Sequence, residues 1–222
     1  MPRESLKRKK ERAAELYTVL FREFPDAECA LIHSNALELL IATILSAQCT
    51  DAMVNRVTPA LFEKYPTASA YDEAELHELE QDIKRIGLYR SKAKNIKKCA
   101  KTLVNEFEGQ VPNRMEDLIK LGGVGRKTAN VVLGNIFNIN EGVVVDTHVG
   151  RISQLLGLTP NKTPEKIEKD LMKLFPQEDW CMLSHLLILH GRKTCVARRP
   201  KCDGCPVLEL CPGGQKTLKS ES

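Results

Sequence analysis

The chain has 222 residues, of which 28% are charged and 42% hydrophobic, and 33 Lys and Arg against 29 Asp and Glu give a net charge of +4. This length allows one domain or two small ones, each with a substantial buried core. The sequence has no apolar stretch of about 18 residues, and its N-terminus is charged and lacks an apolar h-region. It therefore predicts neither a membrane span nor a secretion signal.

Most of the chain carries the spacing of amphipathic or buried helices. Apolar residues recur at helical intervals from Ala13 to Phe24, and Leu37–Ala47 is apolar on almost all sides, which predicts a core helix. Ser91 is the predicted N-cap of a helix that runs to about Phe107, with apolar side chains on one face and lysines on the other, and Gly109 ends it.

Further along, Asn113 and Glu116 form a predicted capping box for a short helix that continues through Leu121. Thr163–Pro164 opens another helix, with proline at its tolerated first position. Asp179–Gly191 is predicted to be a last long helix, capped by its first residue. No segment alternates convincingly between apolar and polar residues, and no linker divides the chain. The predicted fold class is therefore all-α.

Basic residues are concentrated in three clusters, although the total charge is nearly balanced. Two of the clusters are Lys7–Arg12 and Arg192–Lys201, and the largest contains eight cations and no acid: Lys84, Arg85, Arg90, Lys92, Lys94, Lys97, Lys98 and Lys101. Separate basic clusters on a balanced chain indicate a surface that meets a polyanion. Solvated helix faces are the alternative interpretation.

A glycine-rich turn joins two predicted helices at Leu121–Lys127, with the sequence LGGVGRK. Gly122, Gly123 and Gly125 can each adopt positive φ without steric cost, and the second helix is predicted to start at about Arg126. A turn without side chains lets a phosphate approach the N–H groups at the start of that helix. A plain helical hairpin is the alternative, but the basic flanks favour a nucleic-acid contact.

Four cysteines near the C-terminus, Cys195, Cys202, Cys205 and Cys211, have the spacing C-x6-C-x2-C-x5-C. Four thiolates this close in sequence can surround an inorganic centre, because closing so short a loop costs little entropy. Structural zinc sites commonly use two short C-x2-4-C knuckles, and only one is present here. All-cysteine ligation also suits a 4Fe–4S cluster. The spacing alone leaves zinc and an iron–sulfur cluster open.

Five segments in consistent order resemble the endonuclease III family of helix–hairpin–helix DNA glycosylases. They are Leu45–Asp51 (LSAQCTD), Ile86–Lys92 (IGLYRSK), Leu121–Asn130 (LGGVGRKTAN), Val145–His148 (VDTH) and the four-cysteine loop, and the resemblance spans roughly residues 10–212. The family usually has proline where this chain has Gly122, which predicts a more flexible hairpin.

The resemblance implies two all-α domains that flank a DNA cleft. Residues 30–140 would form a six-helix barrel, with the helix–hairpin–helix motif at about 114–135. Residues 1–29 and 141–222 would form the second domain, which would hold a structural 4Fe–4S cluster on the four cysteines. The implied partner is double-stranded DNA that contains oxidised pyrimidines or abasic sites, and we expect a monomer in the cytoplasm, associated with the nucleoid.

The same resemblance implies the chemistry of Lys127 and Asp146. The Lys127 amine would attack C1′ of the damaged nucleotide, expel the base and form a Schiff base, after which β-elimination would break the strand. An attacking amine must be neutral, and the first turn of a helix disfavours an ammonium. Asp146 would act on positive charge developing at the sugar and on proton transfers around the leaving base. From its position alone, Asp146 is also an ordinary helix N-cap.

Reaching C1′ of a paired nucleotide requires that the nucleotide leave the stack. The resemblance implies that Gln48 meets the orphaned partner base, that Leu88 is an apolar wedge, and that His148 lines the pocket. Gly123 and Gly125 would let the phosphate backbone approach. The residue types alone also fit a core leucine, an ordinary polar residue at a helix end and a partly exposed helical histidine.

Two other functions remain as alternatives. A non-catalytic DNA-binding module would use the hairpin and the basic faces without cleaving DNA. A mismatch adenine glycosylase belongs to the same superfamily, but such relatives lack the lysine at the position of Lys127. They also carry a catalytic glutamate in the segment that matches Leu45–Asp51, where this chain has Gln48.

Overall fold

The computed structural model describes residues 4–221, and the side chains of residues 4–218. These residues form α-helices and contain no β-strand, as the sequence predicts. The helices are α1 (Leu6–Glu23), α2 (Ala36–Ser46), α3 (Asp51–Lys64), α4 (Ala68–Glu73), α5 (Leu76–Asp82), α6 (Tyr89–Phe107), α7 (Met115–Leu118), α8 (Arg126–Ile136), α9 (Thr147–Leu155), α10 (Pro164–Leu174), α11 (Trp180–Lys193) and α12 (Pro212–Glu221). Short 3-10 turns lie at Gln177–Asp179 and Leu208–Leu210.

The chain divides into two compact units. The continuous unit, Cys29–Ile139, contains α2 to α8, and the discontinuous unit combines Met1–Glu28 with Asn140–Ser222 and contains α1 and α9 to α12. Each unit has its own cluster of buried apolar side chains.

The centre of the continuous unit is α2, which packs against α3, α6 and α8. Its residues from Leu39 to Leu45 are all buried. A helix that is apolar on every side has no face suited to water, so neighbouring helices surround it. The N-terminus is capped by Asn35, whose Oδ1 accepts from the Glu38 N–H at 3.0 Å, and Glu38 accepts in return from the Ser34 N–H. The predicted core helix is confirmed to within one residue at each end.

In the discontinuous unit, α1 packs against α10 and α11 through Ala13, Leu16 and Leu20. Arg12, on the same helix, donates from Nη1 to the carbonyl oxygens of Leu156 at 2.7 Å and Leu210 at 3.0 Å. These bonds join α1 to the C-terminal end of α9 and to the segment before Cys211.

The predicted boundaries of α6 and α7 are wrong. The α6 helix begins at Tyr89, so that Ser91 lies inside its first turn rather than at its cap. The N-cap of α7 is Arg114 rather than Asn113, and because arginine has no acceptor, the helix receives no side-chain cap. The Glu116 carboxylate pairs with Arg114, and the helix ends at Leu118 before a short turn.

Asp179 precedes α11 but does not cap it with its side chain. Burial and a hydrogen bond with the Asp179 carboxylate raise the pKa of Tyr17, so this carboxylate is engaged by α1. The helix continues to Lys193, two residues beyond the predicted end near Gly191, and α12 follows although it was not predicted. The predicted start of α10 at Pro164 is confirmed.

Candidate functional site

The glycine turn between α7 and α8 is fixed by close packing against α6. Of its three glycines only Gly123 uses the freedom to adopt positive φ, at 76°. A Cβ on Gly122 would lie 2.6 Å from the Asn95 carbonyl oxygen and 2.8 Å from the Cys99 nitrogen. Glycine at position 122 is therefore required by the close approach of α6.

The first turn of α8 is open on its outer side. Its N-cap is Gly125, which provides no capping side chain, and a Cβ there would meet nothing within 4 Å. Lys127 is the second residue of the helix, and both residues are exposed. N–H groups at such a terminus attract anions, assisted by the helix dipole. The arrangement places a primary amine beside a site suited to a backbone phosphate.

The start of α9, in the discontinuous unit, is closed by Asp146. Its Oδ1 accepts from the Val149 N–H at 2.8 Å, and its carbonyl oxygen accepts from the Gly150 N–H at 2.9 Å. The buried Val143 and Val145 anchor the segment before it. The carboxylate is half-buried and held in one orientation, so the predicted N-cap is confirmed.

His148 lies in the first turn of α9 and is half-buried, as expected for a partly exposed helical histidine. One edge of its ring lies against the backbone of α11, since a Cβ on Gly191 would come within 2.9 Å of the histidine Nδ1. This contact restricts the ring. The predicted pocket-lining role of His148 stays a prediction.

Gln48 and Leu88 lie on two exposed turns of the continuous unit, and both have left-handed backbone. Ala47 (φ −56°, ψ 117°) and Gln48 (φ 53°) form a type II turn, closed by a 3.0 Å bond from the Cys49 N–H to the Ser46 carbonyl. Leu88 has φ 59° and ψ 29°, and its side chain is 59% exposed.

This conformation costs a residue other than glycine roughly 1–2 kcal/mol. An exposed leucine under such strain cannot be a core residue, so the alternative interpretation of Leu88 is excluded. Strain of this kind is concentrated at functional sites. The two turns are also neighbours, because a Cβ on Gly87 would lie 3.6 Å from the Gln48 carbonyl oxygen.

Two lysines of the largest basic cluster face inward. Lys92 is 3% exposed, and its Nζ donates to the Leu45 carbonyl oxygen at 2.8 Å. Lys97 donates to the carbonyl oxygen of Asp72 at 2.6 Å and to that of Ala74. The prediction of a solvated lysine face is therefore wrong for these two. The six exposed members are Lys84, Arg85, Arg90, Lys94, Lys98 and Lys101.

Lys92 is a residue that the sequence interpretation missed, although a signal was present. It lies four residues before Ile96 and seven before Cys99, and it therefore belongs to the buried stripe of α6. A cation at an apolar position of an amphipathic helix is an inconsistency between pattern and residue type. Such inconsistencies are expected mainly at functional or strained sites.

The four cysteines line one cavity of the discontinuous unit, together with apolar side chains of α9. Arg151 approaches Cys195 with Nη1 3.5 Å from Sγ, and the Gly214 N–H donates to the Cys211 Sγ at 3.2 Å. In the described residues no three His, Cys, Asp or Glu side chains converge closely enough to hold one metal ion. Thiols spread around a cavity, with N–H donors directed at sulfur, suit a cluster in which each thiolate binds a separate iron.

Comparisons with known proteins agree with this geometry. The family model for HhH-GPD superfamily base excision DNA repair proteins matches residues 41–177, and that for the iron-sulfur binding domain of endonuclease III matches residues 195–211. Endonuclease III of Synechocystis sp. is 52% identical over 207 residues, which cover 93% of this chain and 94% of that protein. The chain belongs to the endonuclease III family.

Endonuclease III of Bacillus subtilis is also 52% identical, over 88% of this chain and 90% of the relative. Among solved structures, a trapped endonuclease III–DNA covalent intermediate in an estranged-adenine complex superposes with a TM-score of 0.89. It is 48% identical in sequence, and the match covers 94% of this chain and 98% of that one.

Membership of the endonuclease III family gives the protein class and the cofactor. The chain is a base excision DNA repair enzyme, a DNA glycosylase with abasic-site lyase activity. Its cofactor is a 4Fe–4S cluster rather than zinc. The comparisons do not favour the non-catalytic module or the mismatch adenine glycosylase. Within residues 4–221, every helix is too short or too polar to cross a bilayer.

Proposed function

We propose that this enzyme removes oxidised pyrimidines from duplex DNA as a monomer, and that Lys127 is the nucleophile of both base removal and strand cleavage. The observation that carries the proposal is the position of Lys127. Its exposed amine follows directly after the open N-terminus of α8, where a phosphate of the damaged strand can be held by N–H groups. A DNA substrate also implies a cytoplasmic location, associated with the nucleoid.

The reaction begins when the Lys127 lone pair forms a C–N bond to C1′. The glycosidic bond breaks, and the base leaves with the bonding electrons and takes up a proton. The new C1′-bound nitrogen then gives up one of its two protons, the C1′–O4′ bond of the sugar breaks as O4′ takes up a proton, and a protonated Schiff base results. Loss of a C2′ proton expels the 3′ phosphate by β-elimination. A similar solved structure is a trapped covalent intermediate between endonuclease III and DNA, and this similarity supports a covalent step here.

Asp146 is proposed to stabilise the positive charge that develops at the sugar and to take part in proton transfer around the leaving base. The Val149 N–H fixes its carboxylate at 2.8 Å. A group held by packing and hydrogen bonds does not need to reorganise during the reaction, which is the usual basis of electrostatic catalysis.

The strained Gln48 and Leu88 turns are proposed to enter the duplex when the nucleotide leaves it. Leu88 offers an exposed apolar side chain that can wedge between base steps. Gln48 offers a donor and an acceptor to the orphaned partner base. The six exposed cations of the largest basic cluster would bind backbone phosphates without reading sequence.

The cluster is proposed to be structural, held by Cys195, Cys202, Cys205 and Cys211. When bound, it supplies a rigid cross-link between segments of the cysteine loop. The protein supplies N–H donors to sulfur from Arg151 and Gly214. We propose that the continuous unit is the helical barrel domain and that the discontinuous unit is the cluster domain. The predicted boundaries, 30–140 for the barrel domain, differ by one residue from the compact unit Cys29–Ile139, which supports this assignment.

Borohydride trapping on duplex DNA with one abasic site tests the nucleophile. We expect the wild-type enzyme to form a covalent adduct and Lys127→Ala to form none, because reduction captures only the Schiff base. The matched control is Lys120→Ala, which removes an exposed lysine that lies before the same turn and pairs with Asp117 at 2.7 Å. This control should be trapped like the wild type.

An adduct of normal yield in Lys127→Ala would refute the assignment. Substrate class is tested separately, by excision assays on duplexes that contain an oxidised pyrimidine, an oxidised purine or no damage. Equal excision of the oxidised purine would contradict the proposed preference.

A further inference from the structure

Lys92 is a buried cation on a helix face that is otherwise apolar. In α6 it shares the buried stripe with Ile96, Cys99 and Leu103, and it is 3% exposed. Its partner is the carbonyl oxygen of Leu45, in the last turn of α2, at 2.8 Å. Burial lowers the pKa of Lys92, which means that the surroundings disfavour its charged form.

Stability alone does not explain a lysine at this position. Removing an ammonium from water costs several kcal/mol, and apolar residues of similar volume at such sites are often neutral or stabilising. The negative end of the α2 dipole offsets only part of this cost. The lysine therefore needs an explanation in what its bond holds together.

Lys92 makes one hydrogen bond to each of the two strained turns or to the residues beside them, one with its main chain and one with its side chain. Its backbone N–H donates to the Leu88 carbonyl oxygen at 3.1 Å, so its main chain closes the turn that carries Leu88. Its side chain binds the carbonyl oxygen of Leu45, three residues before Gln48. One residue thus connects the two exposed turns in which Leu88 and Gln48 have left-handed backbone.

Other hydrogen bonds at the C-terminal end of α2 stabilise that end, but they do not reach the Leu88 turn. The Ser46 hydroxyl donates to the Thr43 carbonyl oxygen at 2.9 Å, and the Cys49 N–H donates to the Ser46 carbonyl oxygen at 3.0 Å. These bonds are local to one turn. The Lys92 bond spans 47 residues of sequence, and it therefore fixes the position of one turn relative to the other.

We propose that Lys92 is a positioning residue that keeps the Gln48 and Leu88 turns at the separation required for both side chains to enter the DNA duplex together. This inference rests on the proposed function, because it assumes that these two side chains fill the space left by the flipped nucleotide. Lys92 itself touches neither DNA nor the reacting atoms.

The variant Lys92→Met tests the inference, since methionine fills the space but cannot donate to the Leu45 carbonyl. Misplacement of a positioned group by about 1 Å can cost about 100-fold in rate, so we expect single-turnover excision of an oxidised pyrimidine to fall roughly ten- to 100-fold. Lys92→Arg keeps a donor and should restore most of the rate. Borohydride trapping on a preformed abasic site should change less, because no base must be unstacked there.

A second readout separates positioning from general loss of structure. With 2-aminopurine opposite the damaged base, entry of the two side chains changes its stacking and hence its fluorescence. We expect this signal to be reduced in Lys92→Met. Lys97→Met is the matched control, because Lys97 lies on the same helix and also donates to helix-end carbonyl oxygens, those of Asp72 and Ala74, away from the two turns. It should keep the wild-type excision rate and fluorescence change.

The outcomes distinguish the inference from the function on which it depends. Wild-type excision in Lys92→Met, or equal losses in Lys92→Met and Lys97→Met, would overturn the positioning role while leaving the enzyme assignment intact. A wild-type protein that neither excises nor is trapped would instead refute the proposed function. Should Lys92→Met be unfolded at the assay temperature, Lys92→Leu, which is also apolar and has no donor, takes its place with the same expected outcomes.

Discussion

Two helices that carry the proposed catalytic groups begin in opposite ways. At α8 the N-cap is Gly125, so the helix end has no capping side chain and remains open to solvent. At α9 the N-cap is Asp146, whose carboxylate accepts from the Val149 N–H of the same helix. Every helix leaves unsatisfied N–H groups at its start. The open end can offer them to a ligand, whereas the closed end uses them to orient its own side chain.

The comparison shows how one backbone feature serves two chemical purposes. Glycine at the start of α8 leaves room for an anion beside Lys127, and aspartate at the start of α9 fixes a negative charge in one direction. Substitutions at the start of α9 should therefore affect the rate of base excision, whereas substitutions at the start of α8 should affect stability or DNA binding.

The largest effect is expected at the closed end, from Asp146→Asn. Asparagine caps a helix about as well as aspartate, so the free energy of unfolding should change by less than about 0.5 kcal/mol. Loss of the charge should lower the excision rate by about 10²- to 10⁴-fold. Chemical denaturation and single-turnover excision measure the two quantities.

Asp146→Ala is the control for capping, since it removes both the cap and the charge and should lose stability by about 1 kcal/mol as well. If Asp146→Asn excised bases at the normal rate, the carboxylate would serve only as a helix cap.

The next largest effect is a loss of stability in Gly122→Ala, which tests the packing of the glycine turn against α6. A Cβ here would meet backbone atoms of α6 at 2.6 and 2.8 Å, and such overpacking costs about 1–3 kcal/mol. We expect a corresponding fall in the denaturant midpoint. Gly125→Ala is the matched control from the same turn, because its Cβ would lie in open space. Equal stability of the two variants would contradict the packing account of Gly122.

The smallest effect is expected from closing the open end with Gly125→Asp. The backbone φ of −101° accepts any residue, and a capping carboxylate should raise the free energy of unfolding by only a few tenths of a kcal/mol. DNA affinity, measured by fluorescence anisotropy, should fall about tenfold, because the carboxylate takes the place of a phosphate and repels it. Gly125→Ser, a neutral cap, should lose less affinity. Unchanged binding in Gly125→Asp would show that α8 does not contact phosphate.

The sequence predicted those features that local signals determine. The start of α8 after the glycine turn, the start of α10 at Pro164 and the cap at Asp146 all depend on residues within one helical turn. The apolar Leu37–Ala47 could only form a buried helix. The family resemblance supplied the protein class and the cofactor, which periodicity and spacing left open.

Features that depend on distant residues were not predictable in this way. Nothing adjacent to Leu88 indicates left-handed backbone, since no glycine or asparagine occupies that position and the geometry depends on the surrounding fold. The glycine requirement at position 122 comes from α6, more than 20 residues earlier in the chain. The predicted capping box failed because the helix begins one residue later than predicted, with Arg114 at its N-cap, and arginine has no acceptor.

The bonds made by Arg12 fix the order in which the molecule can be completed during synthesis. Its partner Leu210 lies 198 residues further along the chain, and at about 5–20 residues per second the ribosome needs roughly 10–40 s to reach it. The continuous unit Cys29–Ile139 has all of its residues well before then. The α1 helix therefore has to wait for partners that are translated much later, and iron–sulfur assembly on the nascent polypeptide has to await translation of Cys211, the last of the four cysteines.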